Sequence, residues 1–190
     1  ALGAADVAQR TRDEIGAVLE RLVFRELFEF RAMQTDPNFA NYLWDRAAGR
    51  IVLLDFGATR EFSRAFVERF RAISRAVIAG HRARIRQLAI EIGYLAPEDS
   101  GERADAIVQL IQLVCEPLRH RGPYDFAASD LPSRVRHLGF DLAFRKGFLR
   151  APPPETLFLH RKLVGSFLLL ARIGARVNAH ALVVPLLREG

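Results

Sequence analysis

The sequence is poor in cysteine and in lysine, and both shortages limit what the chain can do. Cys115 is the only cysteine, so an internal disulfide and a zinc site built from cysteines are excluded. Lys146 and Lys162 are the only lysines, and arginine therefore carries almost all of the formal net charge of +6. The arginines are interspersed with acids and form no basic run with interleaved aromatic residues. The composition therefore gives no support to nucleic-acid binding.

Long apolar runs are also missing. The most apolar stretches are LVGSFLLLA and VNAHALVVPLL, and both are well short of the roughly 20 residues that a membrane-spanning helix requires. The N-terminal residues have no apolar centre of the kind found in secretory signal peptides. With 50% hydrophobic and 26% charged residues, the composition is that of a folded protein. We therefore expect one domain, or one lobe of a larger protein, without a transmembrane segment.

What the sequence does contain is helical periodicity. Apolar residues recur at three- and four-residue spacing from about Asp6 to Met33, which predicts one long amphipathic helix. The runs NYLWD and RIVLLDF flank a turn-rich connector and predict a small β-hairpin. Further helices are predicted over residues 61–79, 81–93, 101–116, 131–148, 155–175 and 178–188. The helix at 155–175 is apolar on almost every side, so we expect it to be central to the core.

Three polar side chains stand beside turn-forming residues around the predicted hairpin. Asp36 and Asn41 are five residues apart in a loop, and Asp55 ends an apolar run and is followed by Phe56 and Gly57. Phosphoryl transfer uses such a set: one carboxylate orients the nucleophile, an amide oxygen binds Mg²⁺, and a second carboxylate binds the metal at the phosphates. The order Asp-x-x-x-x-Asn and then Asp-Phe-Gly is that of protein kinases. Each piece alone is more often an ordinary turn, so the combination makes the pattern specific.

These residues also carry a family resemblance. The stretches LFEFRAMQTDPNFANYLWD and IVLLDFGATREF, together with PPPETLFLHRKLVGSFLLL at residues 152–170, resemble the C-terminal lobe of the UbiB/ADCK (aarF-domain) family of atypical, protein-kinase-like proteins. The resemblance implies an α+β fold that is mostly α, namely a kinase-like C-lobe with a small β-hairpin at the active edge and a helical bundle. Its parts would be a catalytic loop at 34–41, an Asp-Phe-Gly-type hairpin at 42–57 and a helical region at 60–190.

The resemblance implies a role for each residue of the motif. Asp36 matches the catalytic aspartate, and Asn41 and Asp55 match the side chains that bind Mg²⁺. Asn41, Asp55 and Gly57 would contact the cofactors, Mg²⁺ and ATP. The family is associated with ubiquinone (coenzyme Q) biosynthesis, so the implied partners are an anionic membrane surface and the proteins or lipids of that pathway. The implied location is cytoplasmic and peripheral to the membrane in a bacterium, or mitochondrial in a eukaryote.

The sequence departs from ordinary protein kinases. Gln34-Thr35 stands where they have His-Arg, and no Ala-Pro-Glu segment or typical activation loop follows Gly57, so docking of a peptide substrate is not expected. Residues 1–35 contain no lysine and no glycine-rich loop, and both lysines of the chain come after the catalytic loop. The Lys–Glu pair and phosphate-covering loop of an N-lobe are therefore missing from this sequence. We expect the chain alone to bind nucleotide poorly and to catalyse nothing measurable, with an N-lobe as its first partner.

Two other functions remain open. The chain could be a non-catalytic helical module for a membrane partner or lipid, although such a module has no need of Asp36, Asn41 and Asp55 together. It could also be a small-molecule phosphotransferase of the aminoglycoside-kinase type, which shares a catalytic Asp and a later Asn. Such enzymes usually lack Asp-Phe-Gly and would not account for residues 152–170.

The remaining polar residues have simpler interpretations. The histidines show no metal-ligand spacing, and we expect His160 to be a helix-packing residue. Ser166 lies in an apolar run and is expected at a packing position. Arg60 is expected to pair with an acid rather than with phosphates. The arginines of the helices between Arg60 and Arg86 are expected on solvated faces.

Overall fold

Helices make up most of the described chain, and short antiparallel strand pairs lie between them. The computed structural model describes residues 7–36, 38–45, 47–145, 148 and 151–188. The helices are α1 (Gln9–Arg25), α2 (Arg64–Ile78), α3 (Arg82–Ile92), α4 (Gly101–Val114), α5 (Glu116–Arg119), α6 (Leu131–Phe140), α7 (Pro154–Ile173) and α8 (Ala179–Val183). The strands are β1 (Ala32–Gln34), β2 (Tyr42–Asp45), β3 (Arg50–Leu53), β4 (Thr59–Glu61), β5 (Tyr124–Asp125) and β6 (Arg176–Val177). Glu26–Phe30 and Asp141–Arg145 are π-helical turns, and Phe39–Asn41 and Val184–Leu187 are 3₁₀ turns.

The predicted fold class, α+β and mostly α, is confirmed. The predicted hairpin is present: β2 pairs antiparallel with β3, with Tyr42 opposite Leu53 and Asp45 opposite Arg50. The turn between them is closed by Asp45, whose Oδ1 accepts hydrogen bonds from the backbone of Ala47 and Ala48 at 3.0 Å each. The predicted helix at 131–148 includes α6 and the π-helical turn, and residues 146–147 lie outside the described part of the chain.

The first helix is shorter than the periodicity predicts. It loses α-helical geometry at Glu26, and Arg31 then takes the left-handed conformation with φ 55°. The predicted end of this helix is therefore wrong, because residues 32–34 form strand β1 and pair with β4. Met33 is fully buried in this strand. Its apolar side chain matches the helical spacing, and only pairing with a distant segment decides that it lies in a strand.

Helix α7 connects two of the three buried clusters. Leu159 packs in a cluster with α1, α2 and α8, while Leu170 packs in another with α1, β5 and β6. The opposite side of α7 is not buried, since Val164 is 59% exposed and Leu168 is 47% exposed. The prediction that this helix is central to the core therefore holds for one side only. A third cluster joins α2, α3 and α4.

The histidine and the arginines singled out in the sequence have defined contacts in the structure. His160 forms a 2.7 Å hydrogen bond between its Nε2 and the hydroxyl of Tyr94, as a packing histidine does. The prediction for Arg60 is wrong: its guanidinium lies 4.7 Å from the ring centroid of Phe158, and among the described residues no acid forms an ion pair with it. The arginines of α2 are not all on solvated faces, because Arg71 and Arg75 bond to the backbone of the C-terminal segment. In the described parts of the chain, no helix is both long and apolar enough to cross a bilayer.

Candidate functional site

Strand β1 delivers the chain to the start of the site. Gln34 pairs with Thr59 of β4, so the two strands bring the segment before Asp36 next to the segment after Gly57. Thr35 strengthens this connection, since its backbone N–H and its hydroxyl both donate to the carbonyl of Ala58, at 3.0 and 2.8 Å. The two halves of the predicted motif are therefore joined by hydrogen bonds.

Asp36 and Asn41 are in direct contact. The side-chain Nδ2 of Asn41 donates a hydrogen bond to Oδ2 of Asp36 over 3.2 Å. Asn38 shapes the turn between them: its side-chain oxygen accepts from Ala40 N at 3.0 Å, and its carbonyl accepts from Asn41 N at 3.1 Å. Because the side-chain nitrogen Nδ2 of Asn41 is bonded to Asp36, the side-chain oxygen Oδ1 is left to face other partners.

Asp55 is joined to the same turn through the backbone. Leu54 N donates to the carbonyl of Asn41 at 3.1 Å, so the residue before Asp55 is fixed to the residue that contacts Asp36. The Oδ1 of Asp55 accepts a 2.7 Å hydrogen bond from Gly57 N. A Cβ at Gly57 would lie 3.2 Å from that same oxygen, which is tighter than an ordinary contact. Gly57 is thus explained by the space that the carboxylate needs, because its φ is not in the left-handed region.

Asn41 and Asp55 line a common pocket. The other lining residues are Leu22, Glu26, Gln34, Tyr42, Leu53 and Lys162. Asp36 lies at the edge of this group through its contact with Asn41. The structure therefore brings together all three side chains that the sequence singled out, at the end of the β2–β3 hairpin.

The structure adds charged residues that the sequence reasoning missed. Arg161 is exposed on α7, and its Nη2 lies 3.2 Å from Oδ1 of Asp36. Lys162, the next residue, is 3% exposed and forms an ion pair with Glu26 at 3.1 Å. Lys162 comes more than a hundred positions after Asn41 and Asp55 in the chain, and the fold places it in the same pocket as these two residues. The sequence signal that could have identified Lys162 is a lysine directly before the apolar run LVGSFLLL, in a segment that carries the family resemblance.

Two further groups of the pocket are polar and buried. Burial raises the pKa of Glu26, and the positive charge of Lys162 is the main effect that opposes the rise. The side chain of Gln34 is 6% exposed, and neither its Nε2 nor its Oε1 has a hydrogen-bond partner among the described residues. A buried amide without a partner is a group that a water or ligand in the pocket could satisfy.

The oxygen atoms of the site suit Mg²⁺. Mg²⁺ prefers oxygen ligands and is commonly held by one or two protein groups together with substrate phosphates and water. Asn41 can offer its Oδ1, since its hydrogen bond to Asp36 uses Nδ2, and Asp55 can offer the carboxylate oxygen that does not accept from Gly57. Among the described residues, the site included, no group of three or more His, Cys, Asp or Glu side chains could hold a metal ion. The residues present therefore fit a Mg²⁺–nucleotide site and not a fully protein-coordinated metal centre.

Comparison with known protein families and sequences gives consistent matches. Residues 2–89 match the family described as the ABC1 atypical kinase-like domain. The rat protein named atypical kinase COQ8B, mitochondrial, is 39% identical over 171 residues, which is 90% of this chain and 32% of the rat protein. Atypical kinase COQ8, mitochondrial, is 36% identical in Schizosaccharomyces pombe, over 100% of this chain and 31% of that protein. The Saccharomyces cerevisiae protein of the same name is 36% identical, over 90% of this chain and 34% of its own length.

Comparison with solved structures supports the fold. The structure titled as the complex of Rv3197 with erythromycin from Mycobacterium tuberculosis superposes with a TM-score of 0.72. The match covers 96% of this chain and 46% of that one, at 18% identity, so it is a similarity of fold. The chain spans about a third of the length of the curated relatives it matches.

Proposed function

Because the chain belongs to the UbiB/ADCK family of ABC1 atypical kinase-like proteins, we propose that it supplies the catalytic and metal-binding side chains of an atypical kinase or ATPase that uses Mg²⁺ and ATP. The observation that carries the proposal is the shared pocket of Asn41 and Asp55, with Asp36 bonded to Asn41. Packing of the fold alone gives no reason for three oxygen-bearing side chains from two separate segments to meet at one place.

Each side chain has a separate task in this proposal. Asn41, through Oδ1, and Asp55, through its carboxylate, would hold Mg²⁺, which when bound neutralises charge on the phosphates. Asp36 would orient the attacking hydroxyl or water and accept its proton. The Asn41 Nδ2 bond to Asp36 Oδ2 keeps that carboxylate turned toward the metal ligands, and Arg161 holds its other oxygen. Gly57 leaves room for the Asp55 carboxylate and fixes it with its backbone N–H.

The biological setting is proposed from the family. The relatives are named as mitochondrial atypical kinases, and we extend to this chain the family's association with ubiquinone biosynthesis. The remaining two thirds of such a protein would supply the N-lobe with its phosphate-binding groups. An anionic membrane surface and the proteins or lipids of coenzyme Q biosynthesis are the proposed partners.

The test is a chimera in which this chain replaces the matching third of the Saccharomyces cerevisiae relative. Mg²⁺-dependent ATP binding is measured by calorimetry and turnover by phosphate release. We expect Asp55→Asn to abolish Mg²⁺-dependent binding, because one metal ligand loses its charge. Asp36→Asn should leave binding intact and lower turnover by about 100-fold or more.

Asp45→Asn is the matched control for these two variants. Asp45 lies on the same hairpin but caps the β2–β3 turn, so we expect unchanged binding and turnover. Unchanged ATP binding in the Asp55→Asn chimera would remove Asp55 from the metal site. Full activity of the Asp36→Asn chimera would remove Asp36 from the mechanism.

A further inference from the structure

We propose that Lys162 is a positioning residue for the metal site, which it holds in place through a buried ion pair with Glu26 and a hydrogen bond to Tyr42. This inference rests on the proposed function and adds a residue from helix α7 to it. Lys162 is not taken to contact substrate or metal. Its role is to fix the two segments on which Asp36, Asn41 and Asp55 stand.

The ammonium group of Lys162 joins three elements at one point. Its Nζ lies 3.1 Å from Oε2 of Glu26, at the start of the π-helical turn that follows α1. The same Nζ donates a hydrogen bond of 3.1 Å to the hydroxyl of Tyr42, the first residue of β2. The side chains of Lys162 and Glu26 are 3% and 8% exposed, so water competes little for the pair. In such surroundings electrostatic contacts depend strongly on geometry.

Both partners of Lys162 lead directly to the site. Oε1 of Glu26 accepts a hydrogen bond from Gln34 N, over 3.4 Å, and Gln34 is two residues before Asp36. Tyr42 follows Asn41 in the chain and pairs with Leu53, which is two residues before Asp55. Movement of the ammonium would therefore be passed to both ends of the catalytic loop and to strand β3, which ends two residues before Asp55.

Stability alone is a weak reason for such a pair. Removing two charges from water is unfavourable, and replacing a buried ion pair with apolar residues of similar volume often leaves a protein equally stable. A buried pair is better explained where it fixes one arrangement among several. Here the arrangement that it fixes is the relative position of Gln34 and Tyr42, and with them the site.

The chain offers a matched control on the same two helical segments. Ser166, one turn after Lys162 on α7, donates a 2.9 Å hydrogen bond to Glu20 of α1, and both side chains are buried. The Ser166–Glu20 pair joins α7 to α1, and the Lys162–Glu26 pair joins α7 to the residue at the end of α1. Among the described residues of the catalytic loop and the hairpin, none forms a hydrogen bond with the Ser166–Glu20 pair. A purely structural role would make the two pairs equivalent.

The first experiment uses the chain itself and needs neither metal nor nucleotide. The ¹H–¹⁵N spectrum reports the side-chain amide of Asn41 and the backbone amide of Gly57. We expect Lys162→Met, and the doubly neutral variant Glu26→Gln/Lys162→Met, to shift both signals, since each is bonded to a carboxylate of the site. Ser166→Ala should leave both signals in place. Thermal unfolding of every variant shows which of them are folded.

The second experiment measures turnover in the chimera. We expect the double variant to unfold near the wild-type temperature and to show kcat about 100-fold lower, because misplacement by about 1 Å can have that effect. The KM for ATP should change much less than kcat. Ser166→Ala should keep the wild-type kcat.

The outcomes separate this inference from the function on which it rests. If the wild-type chimera shows no Mg²⁺-dependent ATP binding, the proposed function fails, and the spectra of the chain still decide the positioning role. If the wild-type chimera is active and the folded double variant retains its kcat and its Asn41 and Gly57 signals, the positioning role is wrong. Equal loss of kcat in Ser166→Ala would also overturn it, because the effect would then follow from packing of α1 on α7.

Discussion

Within the site, Gln34 is the residue whose buried side-chain amide is least explained by its surroundings. It stands at the end of β1 and lines the pocket of Asn41 and Asp55. Its Nε2 and Oε1 find no partner in the described part of the chain, although its backbone N–H bonds to Glu26. A buried polar group left unpaired costs about 1–3 kcal/mol. Gln34 therefore lowers the stability of the folded chain unless a bound molecule satisfies it.

Replacing this amide with an apolar side chain of similar size tests that conclusion. We expect Gln34→Leu to raise the free energy of unfolding by about 1 kcal/mol, since the unpaired group is removed and the volume is kept. Urea unfolding followed by circular dichroism measures the change. Gln109→Leu, at an exposed position on α4, is the control and should have little effect. A clear loss of stability in Gln34→Leu would show that the amide is hydrogen-bonded in solution through water held in the pocket.

At the scale of elements, the buried carboxyl group of Glu20 connects α1 to α7, and the stability of this connection should depend on pH. Burial raises the pKa of Glu20 from 4.5 to about 7, and the hydrogen bond from Ser166 opposes part of this rise. A carboxyl with a higher pKa in the folded state binds more protons there than in the unfolded chain. Its stabilising contribution is therefore complete below about pH 4.5 and is lost as the pH rises through about 7.

This linkage predicts a difference between the wild type and Glu20→Gln. Between about pH 5 and pH 8 the wild-type chain should lose up to about 3 kcal/mol of unfolding free energy through this group. The variant lacks the titrating carboxyl and should show a smaller loss over the same range. Urea unfolding at both pH values measures it, with Glu14→Gln on the exposed side of α1 as control. Equal pH dependence in wild type and Glu20→Gln would mean that Glu20 titrates normally.

Helix α2 is attached to the C-terminal segment by arginine. Arg71 donates through Nη2 to the carbonyl of Phe28 at 2.9 Å and through Nη1 to the carbonyl of Leu186. Arg75 donates to the carbonyl of Leu187 at 2.9 Å. A planar guanidinium can reach two carbonyls in different directions, whereas a lysine ammonium is a single point of charge. Arg71 thus joins the 3₁₀ turn at Val184–Leu187 to the segment that precedes β1, and Arg75 adds a second bond to that turn.

Substitution of Arg71 should therefore destabilise the fold. We expect Arg71→Ala to lower the free energy of unfolding by about 1.5–3 kcal/mol, the range for hydrogen bonds to a charged group, and Arg71→Lys to recover only part of it. Thermal and urea unfolding provide the values. Arg69→Ala, at an exposed position of the same helix, should have little effect. If the Arg69 and Arg71 variants are equally stable, the contacts of Arg71 contribute nothing in solution.

For the whole molecule, the site is expected to need more than this chain. In the proposed function, Asn41 and Asp55 of the pocket hold the metal and the neighbouring Asp36 is the base, and the chain spans about a third of the length of its relatives. A kinase also needs a lysine and a covering loop on the phosphates of ATP. We expect the chain alone to bind ATP much more weakly than the chimera and to release no phosphate above background. Equal calorimetric affinities for the chain and the chimera would contradict this expectation.

The sequence by itself determined the local structure and the identity of the three polar residues. The hairpin at β2–β3 follows from alternating apolar residues around a turn, and most helices follow from their periodicity and stop signals. Asp36, Asn41 and Asp55 are close in sequence and flank one hairpin, so their proximity could be predicted. Local patterns are enough in such cases because the residues that decide the structure are neighbours in the chain.

Only the tertiary structure decided what surrounds them. The pairing of β1 with β4 ended a helix that the apolar pattern continued, and α7 brought Arg161 and Lys162 to a site more than a hundred positions earlier in the chain. Periodicity marked α7 as apolar without telling which side faces the core, and so could not tell that Lys162 is buried against Glu26. Contacts between distant segments depend on how the elements pack together, and no short stretch of the sequence contains that information.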